Sequence, residues 1–250
     1  MTTKHSSSTR LYSYVVLATT LLLVGASAQA GIITPAGLAV GAQFRLVFVS
    51  SGTIAATNPS ISTYDTFVST AATAAGLNTY GASQTLSWRD LGSAPIGASH
   101  NAIDRLNDLI PIYDLNGDLI AQSASAMWSN QALLHAIDFD ENGDSLFGAQ
   151  VWTGTNANGS HVSCADLGNG CFAPRIAEFG DSGESNSFWT ASGTSPESTT
   201  HHLYGYSSVL TAEAASPEPG TGLLLVIGFG LGLVSLRVVA SRQRRTQPTS

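Results

Sequence analysis

Basic residues are scarce over most of this 250-residue chain. The segment from Gly31 to Ser216 has four arginines, no lysine and sixteen acidic residues, so its net charge is −12. Because a segment of this charge repels a phosphate backbone, nucleic acid is not expected as a partner. Cysteine is scarce as well, and the two cysteines of the chain exclude a disulfide-rich miniprotein and a four-cysteine zinc site.

Both ends of the chain are apolar runs that have basic residues beside them. Residues 1–30 contain a basic start, an apolar stretch from Val15 to Val24 and a small-x-small sequence that ends at Ala30. This order is typical of a secretory signal peptide. We expect cleavage between Ala30 and Gly31, and a retained N-terminal anchor is the alternative.

The C-terminal end has three consecutive parts. Pro217, Glu218 and Pro219 form a motif, an unbroken apolar run from Gly222 to Leu236 follows, and several arginines, beginning with Arg237, close the chain. A run of roughly 15 to 20 apolar residues can span a bilayer when a flanking arginine reaches the interface. Arginines beyond the span favour a cytoplasmic C-terminus, with the bulk of the chain outside.

This three-part arrangement resembles the PEP-CTERM sorting signal of Gram-negative bacteria over residues 216–250. In that family exosortase, an integral-membrane cysteine transpeptidase, cuts near the motif. The resemblance therefore implies that exosortase is a partner and that a transmembrane helix anchors the chain only before processing. Two prolines keep the motif extended and free of backbone donors, which suits recognition by another protein. A plain single-span anchor is the alternative.

The central residues 31–215 are predicted to form one exported α+β domain. The segment from Gln43 to Ser50 is rich in β-forming residues, and its alternating apolar positions predict a strand. A helix is predicted next, because Asn58 can cap it, Pro59 suits its first turn and Gly76 can end it.

Short strands and long loops are predicted for the rest of this domain. The predicted strands cover residues 85–89, 110–113, 119–121, 151–155 and 203–210. The pair Asn116-Gly117 indicates a hairpin turn between the second and third of them. From Gly154 to Gly205 the chain is rich in Gly, Ser, Asn and Thr, which predicts long loops. Cys164 and Cys171 lie there, and export favours a disulfide between them over two free thiols.

A series of short motifs runs through the domain. In chain order they are W-R-D-L-G at 88–92, I-P-I-Y-D-L-N-G at 110–117, D-F-D-E-N-G at 138–143, V-W-T-G-T at 151–155, F-W at 188–189 and L-Y-G-Y-S at 203–207. Together they resemble a C-type-lectin-like family of bacterial extracellular proteins over residues 43–211. The resemblance implies a single C-type-lectin-like domain with long loops, and many such domains bind other proteins or have no known ligand.

The chain departs from the sugar-binding C-type lectins at their calcium site. Those lectins have E-P-N or Q-P-D in the long loop and W-N-D on the next strand. Neither loop tripeptide occurs here, and Trp189 is followed by Thr190 and Ala191. The cysteines for one of the two framework disulfides are also missing. The calcium-dependent sugar site of that family is therefore not carried over to this chain.

A different calcium site is suggested by the segment around Gly143. Asp138, Asp140, Asn142 and Asp144 place oxygen atoms at alternate positions, with the glycine at a sharp turn. Oxygen ligands in this pattern suit a hard cation. The glutamate that an EF-hand has at its twelfth position is absent, so an EF-hand is excluded. A calcium site of another type and a solvated turn without metal are the two interpretations.

Other candidate residues have weaker patterns. Ser145 and Ser182 lie in strings found in hydrolases, but the sequence supplies neither the base nor the oxyanion hole that a catalytic serine needs. His201 and His202 are neighbours that point to opposite sides of an extended backbone, so they chelate poorly and are predicted to be exposed loop residues. Most of the four tryptophans are expected in the core, although an indole face suits a sugar ring.

These patterns predict a non-catalytic protein that is exported across the inner membrane, processed by exosortase, and then secreted or held at the cell surface. The PEP-CTERM resemblance further implies an association with the exopolysaccharide of biofilm formers. A carbohydrate-binding module assisted by calcium at Asp138, Asp140, Asn142 and Asp144 is the alternative. An extracellular hydrolase is the third hypothesis, and no other cofactor is expected.

Overall fold

A computed structural model of the protein describes residues 32–81, 83–97, 100–130 and 132–214. The predicted signal peptide, with its cleavage position at Ala30 and Gly31, lies outside these residues. So do the Pro217-Glu218-Pro219 motif and the apolar run that follows it. Within the described ranges, the helices are all too short or too polar to cross a membrane.

The described residues form twelve strands, three α-helices and one short 3-10 helix, so the predicted α+β architecture is confirmed. The strands are β1 (Gln43–Val49), β2 (Ile54–Ala55), β3 (Thr79–Tyr80), β4 (Gln84–Thr85), β5 (Trp88–Asp90), β6 (Ile112–Asp114), β7 (Leu119–Ala121), β8 (Gln150–Trp152), β9 (Ile176–Asp181), β10 (Gly193–Pro196), β11 (Thr200–Ser207) and β12 (Leu210–Thr211). The helices are α1 (Ile61–Ala74), α2 (Ala102–Arg105) and α3 (Ala124–Asn130), and the 3-10 helix covers Ser187–Trp189.

A mixed sheet joins ten of the strands found in the described residues, and β3 and β4 form a separate pair. The main path of the sheet runs β10-β9-β8-β11-β1-β6-β7. Strand β11 is its centre, because it pairs antiparallel with β1, β2 and β5 and parallel with β8. Strand β12 pairs with the start of β1, so the two ends of the described fold lie side by side.

The sheet separates two hydrophobic cores. Helix α1 packs on one face through Tyr64 and Val68, and helices α2 and α3 cover the other face around Trp128. Alternate residues of β1 enter opposite cores, as Phe48 and Val47 do, because side chains alternate along a strand. The strand predicted from this alternation is thereby confirmed.

The predicted helix is present, but it begins later than predicted. Helix α1 starts at Ile61 with Ser60 as its N-cap, so Asn58 is not the cap and Pro59 lies before the first turn. The side chain of Asn58 accepts a hydrogen bond from the Ser60 N–H at 2.9 Å, which forms a turn ahead of the helix. At the other end Gly76 has a φ of +79°, and this left-handed conformation ends the helix as predicted.

The prediction of long loops from Gly154 to Gly205 is partly wrong. Strands β9 and β10 pair antiparallel within this stretch, and β11 begins earlier than predicted. Gly180 lies inside β9, where only glycine fits because a Cβ would collide with the carbonyl group of Trp189. Glycine in this region therefore reflects close packing of strands as well as loops. The predicted disulfide between Cys164 and Cys171 is present.

Candidate functional site

The residues from Asp140 to Asp144 form a tight turn that the Asp140 side chain closes. Asp140 is buried, and its Oδ1 accepts hydrogen bonds from the N–H groups of Asn142 at 2.8 Å and Asp144 at 2.9 Å. Its Oδ2 accepts from the Asn142 amide at 3.2 Å. Gly143 has a φ of +86°, which completes the turn. The Asp140 carboxylate thus has a structural role.

A second turn, from Asp114 to Asp118, repeats this arrangement. The Oδ1 atom of Asp114 accepts from the N–H groups of Asn116 at 2.9 Å and Asp118 at 2.8 Å. This turn joins β6 to β7, so the hairpin predicted from Asn116-Gly117 is confirmed. Since the same Asp-x-Asn-Gly-Asp sequence closes both turns, turn formation accounts for the pattern at either place.

The structure does not gather the predicted calcium ligands into one cluster. Nowhere in the described ranges do three or more His, Cys, Asp or Glu side chains lie together in a way that would hold a metal ion. The Oδ2 atom of Asp138 accepts a hydrogen bond from the hydroxyl of Ser145 at 3.2 Å. Calcium binding by Asp138, Asp140, Asn142 and Asp144 therefore stays a prediction.

The serines of the hydrolase-like strings have structural hydrogen bonds. Ser182 is fully buried; its hydroxyl donates to the carbonyl oxygen of Leu146 at 2.5 Å and accepts from the N–H of Ala149 at 2.9 Å. A nucleophilic serine must reach its substrate and bond to a base, so this geometry does not suit a nucleophile. Ser145 contacts the carboxylate of Asp138.

His201 and His202 lie on β11, so their predicted position in an exposed loop is wrong. His201 is buried against the rings of Trp152 and Phe179, whose centroids lie 4.3 Å and 5.5 Å from its own. Burial lowers the pKa of His201, which therefore favours the neutral imidazole. His202 bonds through Nδ1 to the carbonyl oxygen of Ser50 at 2.6 Å.

The tryptophans belong to the cores, as predicted. Trp88, Trp128, Trp152 and Trp189 are all buried. The indole N–H groups of the first three donate to backbone carbonyl oxygens at 2.7 to 2.9 Å. Trp88 reaches the wall of a cavity beside α1, but because all four side chains are almost wholly buried, a saccharide surface on this fold consists mainly of other residues.

Three of the four arginines between Gly31 and Ser216 line one cavity of about 300 Å³, called here the arginine cavity. Arg45 comes from β1, Arg89 from β5 and Arg105 from the end of α2. Tyr206 of β11 is the cross-strand partner of Arg89. Alternation along the strands directs these side chains to the face that α2 covers, and α2 adds Arg105 there.

Carboxylates hold two of these arginines in place. Arg45 donates to Asp108 through Nη2 at 2.6 Å and Nε at 3.0 Å, and Arg105 pairs with Asp65 of α1. The side chains of Arg45 and Arg105 are only 15% and 5% exposed. Arg89 is exposed and has no ion pair with any described residue. The cavity therefore has an uncompensated positive charge at Arg89.

A second cavity of about 540 Å³ follows helix α1 and also reaches Arg89. The wall formed by the helix has four side chains with hydroxyl groups, Thr66, Ser69, Thr70 and Thr73. We call this cavity the hydroxyl groove. The three threonine hydroxyls donate to carbonyl oxygens four residues earlier in α1. Their oxygen atoms keep lone pairs that can accept hydrogen bonds from a ligand's hydroxyl groups.

Asp90 lies next to Arg89 on β5 and is fully buried. Its Oδ2 accepts from the N–H of Gly92 at 2.9 Å, while no hydrogen bond from a described residue reaches Oδ1. Burial raises the pKa of Asp90 to about 7, although the nearby Arg105 lowers it in part. Below that pH Asp90 is mostly protonated and adds little negative charge beside Arg105.

Sequence reasoning missed the arginine cavity because its members are far apart along the chain. Only the pairing of β5 with β11, and of β11 with β1, brings Arg89, Tyr206 and Arg45 together. The one signal in the sequence is the scarcity of basic residues, which makes a cluster of three informative. No protein-family model matches this chain, and no curated protein matches it either.

Proposed function

We propose that this protein is an exported, exosortase-processed component of the cell surface or extracellular matrix that has no catalytic activity and associates with exopolysaccharide. The observation that carries the proposal is the three-part C-terminus: Pro217-Glu218-Pro219, the apolar run to Leu236, and the arginines after it. A span followed by arginines keeps the C-terminus in the cytoplasm and the preceding residues outside. The signal peptide predicted over residues 1–30 agrees with this direction.

The described residues support a location outside the cytoplasm. Cys164 and Cys171 are disulfide-bonded, and such bridges persist in oxidising compartments. The hydroxyl groove supports the association with a polysaccharide, because its threonine oxygens match the hydroxyl groups of a sugar chain.

We also propose that the fold is C-type-lectin-like. The W-T-G motif lies at the end of β8, Trp189 is buried after it, and the late aromatic strand β11 lies beside β1. This order of elements supports the resemblance. The pairing of β9 with β10 is a departure, because it occupies part of the stretch for which the resemblance implies long loops.

Intact mass of the mature protein from its own host tests the proposed processing. We expect a species that lacks residues 1–30 and the span from Gly222 onward. Replacing Pro217, Glu218 and Pro219 by alanine should leave the C-terminal span in place, because exosortase loses its recognition element. The variant Thr221→Ala is the matched control and should be processed normally. A wild-type protein that keeps the whole C-terminal span would contradict the proposal and indicate a simple anchor.

A further inference from the structure

The arginine cavity has hydrogen-bond donors for which no described residue serves as acceptor. Arg45 gives its Nε–H and one N–H from Nη2 to Asp108, and one N–H from Nη1 to the carbonyl oxygen of Ser207 at 2.7 Å. A guanidinium has five N–H groups, so two of those of Arg45 have no acceptor among the described residues. These two donors lie at a fixed position, because Arg45 is held on both sides.

Arg105 and Tyr206 complete the fixed wall. Arg105 donates to Asp65, and its Nη1 donates to the carbonyl oxygen of Gly92 at 3.4 Å, so part of its guanidinium has no acceptor among the described residues. The Tyr206 hydroxyl donates to the carbonyl oxygen of Arg105 at 3.2 Å. A side-chain hydrogen bond joins this hydroxyl to Arg89, the residue opposite Tyr206 in the strand pairing.

The charge of the cavity matches an anion with a single negative charge. Among the described residues Asp108 balances Arg45 and Asp65 balances Arg105, so the charge of Arg89 is left over while Asp90 is protonated. Arg89 is exposed and can present its planar fork of N–H groups, a geometry that suits two oxygen atoms of a carboxylate. A phosphate group near neutral pH carries close to two charges and would exceed this surplus.

The position of Arg89 also indicates the chemistry of the rest of the ligand that bears the carboxylate. Arg89 lines both the arginine cavity and the hydroxyl groove, so a ligand that reaches both has a carboxylate next to a hydroxyl-rich body. We propose that the arginine cavity binds the carboxylate of an acidic sugar, a uronate, whose ring lies toward the hydroxyl groove. This inference rests on the proposed association with exopolysaccharide and names the sugar chemistry involved.

Calorimetric titration of the full-length chain in detergent micelles with sodium glucuronate tests this proposal. We expect saturable binding of glucuronate, weaker binding of acetate, which has the carboxylate alone, and none of glucose, which lacks it. Arg89→Gln should weaken glucuronate binding by about tenfold or more, because it removes the charge-assisted hydrogen bonds. Arg89→Lys keeps the charge without the fork and should lie between the two.

The matched control is Arg175→Gln, which removes the same charge from an exposed arginine outside the cavity. Its glucuronate affinity should stay within about twofold of wild type, since distant surface charges are screened by salt. The proposal is overturned if glucuronate does not bind, if both variants lose affinity equally, or if inorganic phosphate binds more tightly than glucuronate. None of these outcomes depends on cleavage of the C-terminus, so the sorting proposal succeeds or fails separately.

Discussion

At the scale of single residues, the most unusual group is the buried Asp90 carboxyl. The backbone of Asp90 is held in place on β5 by a hydrogen bond, because its N–H donates to Asp65 at 2.8 Å. The same Asp65 also pairs with Arg105. The side chain itself has a partner for only one of its two oxygens among the described residues. A protonated carboxyl is therefore better accommodated than a carboxylate, and burial raises the pKa of Asp90 to about 7.

We expect the free energy of unfolding to fall as the pH rises from about 5 to about 8. Over this range the native state keeps the Asp90 proton and the unfolded state has already released it, so the native state loses relative stability until the pH passes the folded pKa. For Asp90 alone the loss is on the order of 2 kcal/mol. Urea denaturation at several pH values measures it.

The variant Asp90→Asn should flatten this dependence, because an amide does not titrate. Part of the slope will persist, since burial also raises the pKa of Glu178 to about 7. Asp144→Asn, which changes an exposed carboxylate, is the control and should leave the slope as it is in wild type. An unchanged slope in Asp90→Asn would show that Asp90 is already ionised in the native protein at low pH.

At the scale of elements, helix α1 and strand β11 approach closely at Gly205. A Cβ on Gly205 would lie 2.6 Å from Cγ1 of Val68 and 2.8 Å from the ring of Phe48. The absence of a side chain therefore sets the distance between helix and sheet. Because Asp65 projects from the same helix toward Arg105, this distance also positions one wall of the arginine cavity.

Gly205→Ala should destabilise the fold by about 1 to 3 kcal/mol, since the extra methyl group forces the helix away from the sheet. Gly193→Ala is the comparison on β10, where the nearest atoms belong to the edge of the Phe179 ring at 3.3 Å. That ring can move, so the second substitution should cost less. Thermal unfolding of both variants measures the difference, and equal losses would contradict the packing argument.

Sequence periodicity was sufficient for α1 and β1, because each has a long apolar pattern on a buried face. It was insufficient for α2 and α3, which have four and seven residues and show no clear period. The hairpin at Asn116-Gly117 was predictable because its turn is encoded locally. The arginine cavity was not, because it depends on strand pairings between residues far apart in the chain.

At the scale of the whole molecule, charge is distributed unevenly. The net charge of −12 between Gly31 and Ser216 repels acidic polymers from most of the surface, whereas three of the four arginines line a single cavity. Among the residues that the structure describes, the arginine cavity is therefore the place where an acidic polysaccharide meets clustered positive charge. Repulsion elsewhere contributes to the orientation and the specificity of binding.

We expect the full-length chain to bind its host's acidic exopolysaccharide equally well with calcium and with a chelator, since the proposed contacts are hydrogen bonds and ion pairs from arginine and hydroxyl groups, which need no metal. Co-sedimentation with the purified polymer measures this, and Arg89→Gln should bind less than Arg175→Gln. Asp138→Asn should bind like wild type. Binding that disappears with chelator and in Asp138→Asn would instead favour the calcium-assisted module at Asp138, Asp140, Asn142 and Asp144.

The pairing of β12 with the start of β1 also determines where the fold can be joined to another protein. The N–H of Gly41 donates to the carbonyl oxygen of Ala212, and the N–H of Ala212 donates to that of Ala42, each at 2.8 Å. The chain therefore enters and leaves the described fold at the same end of the molecule. Because chain ends that lie close together tolerate domain insertion, a unit of this kind can be inserted into a loop of another protein.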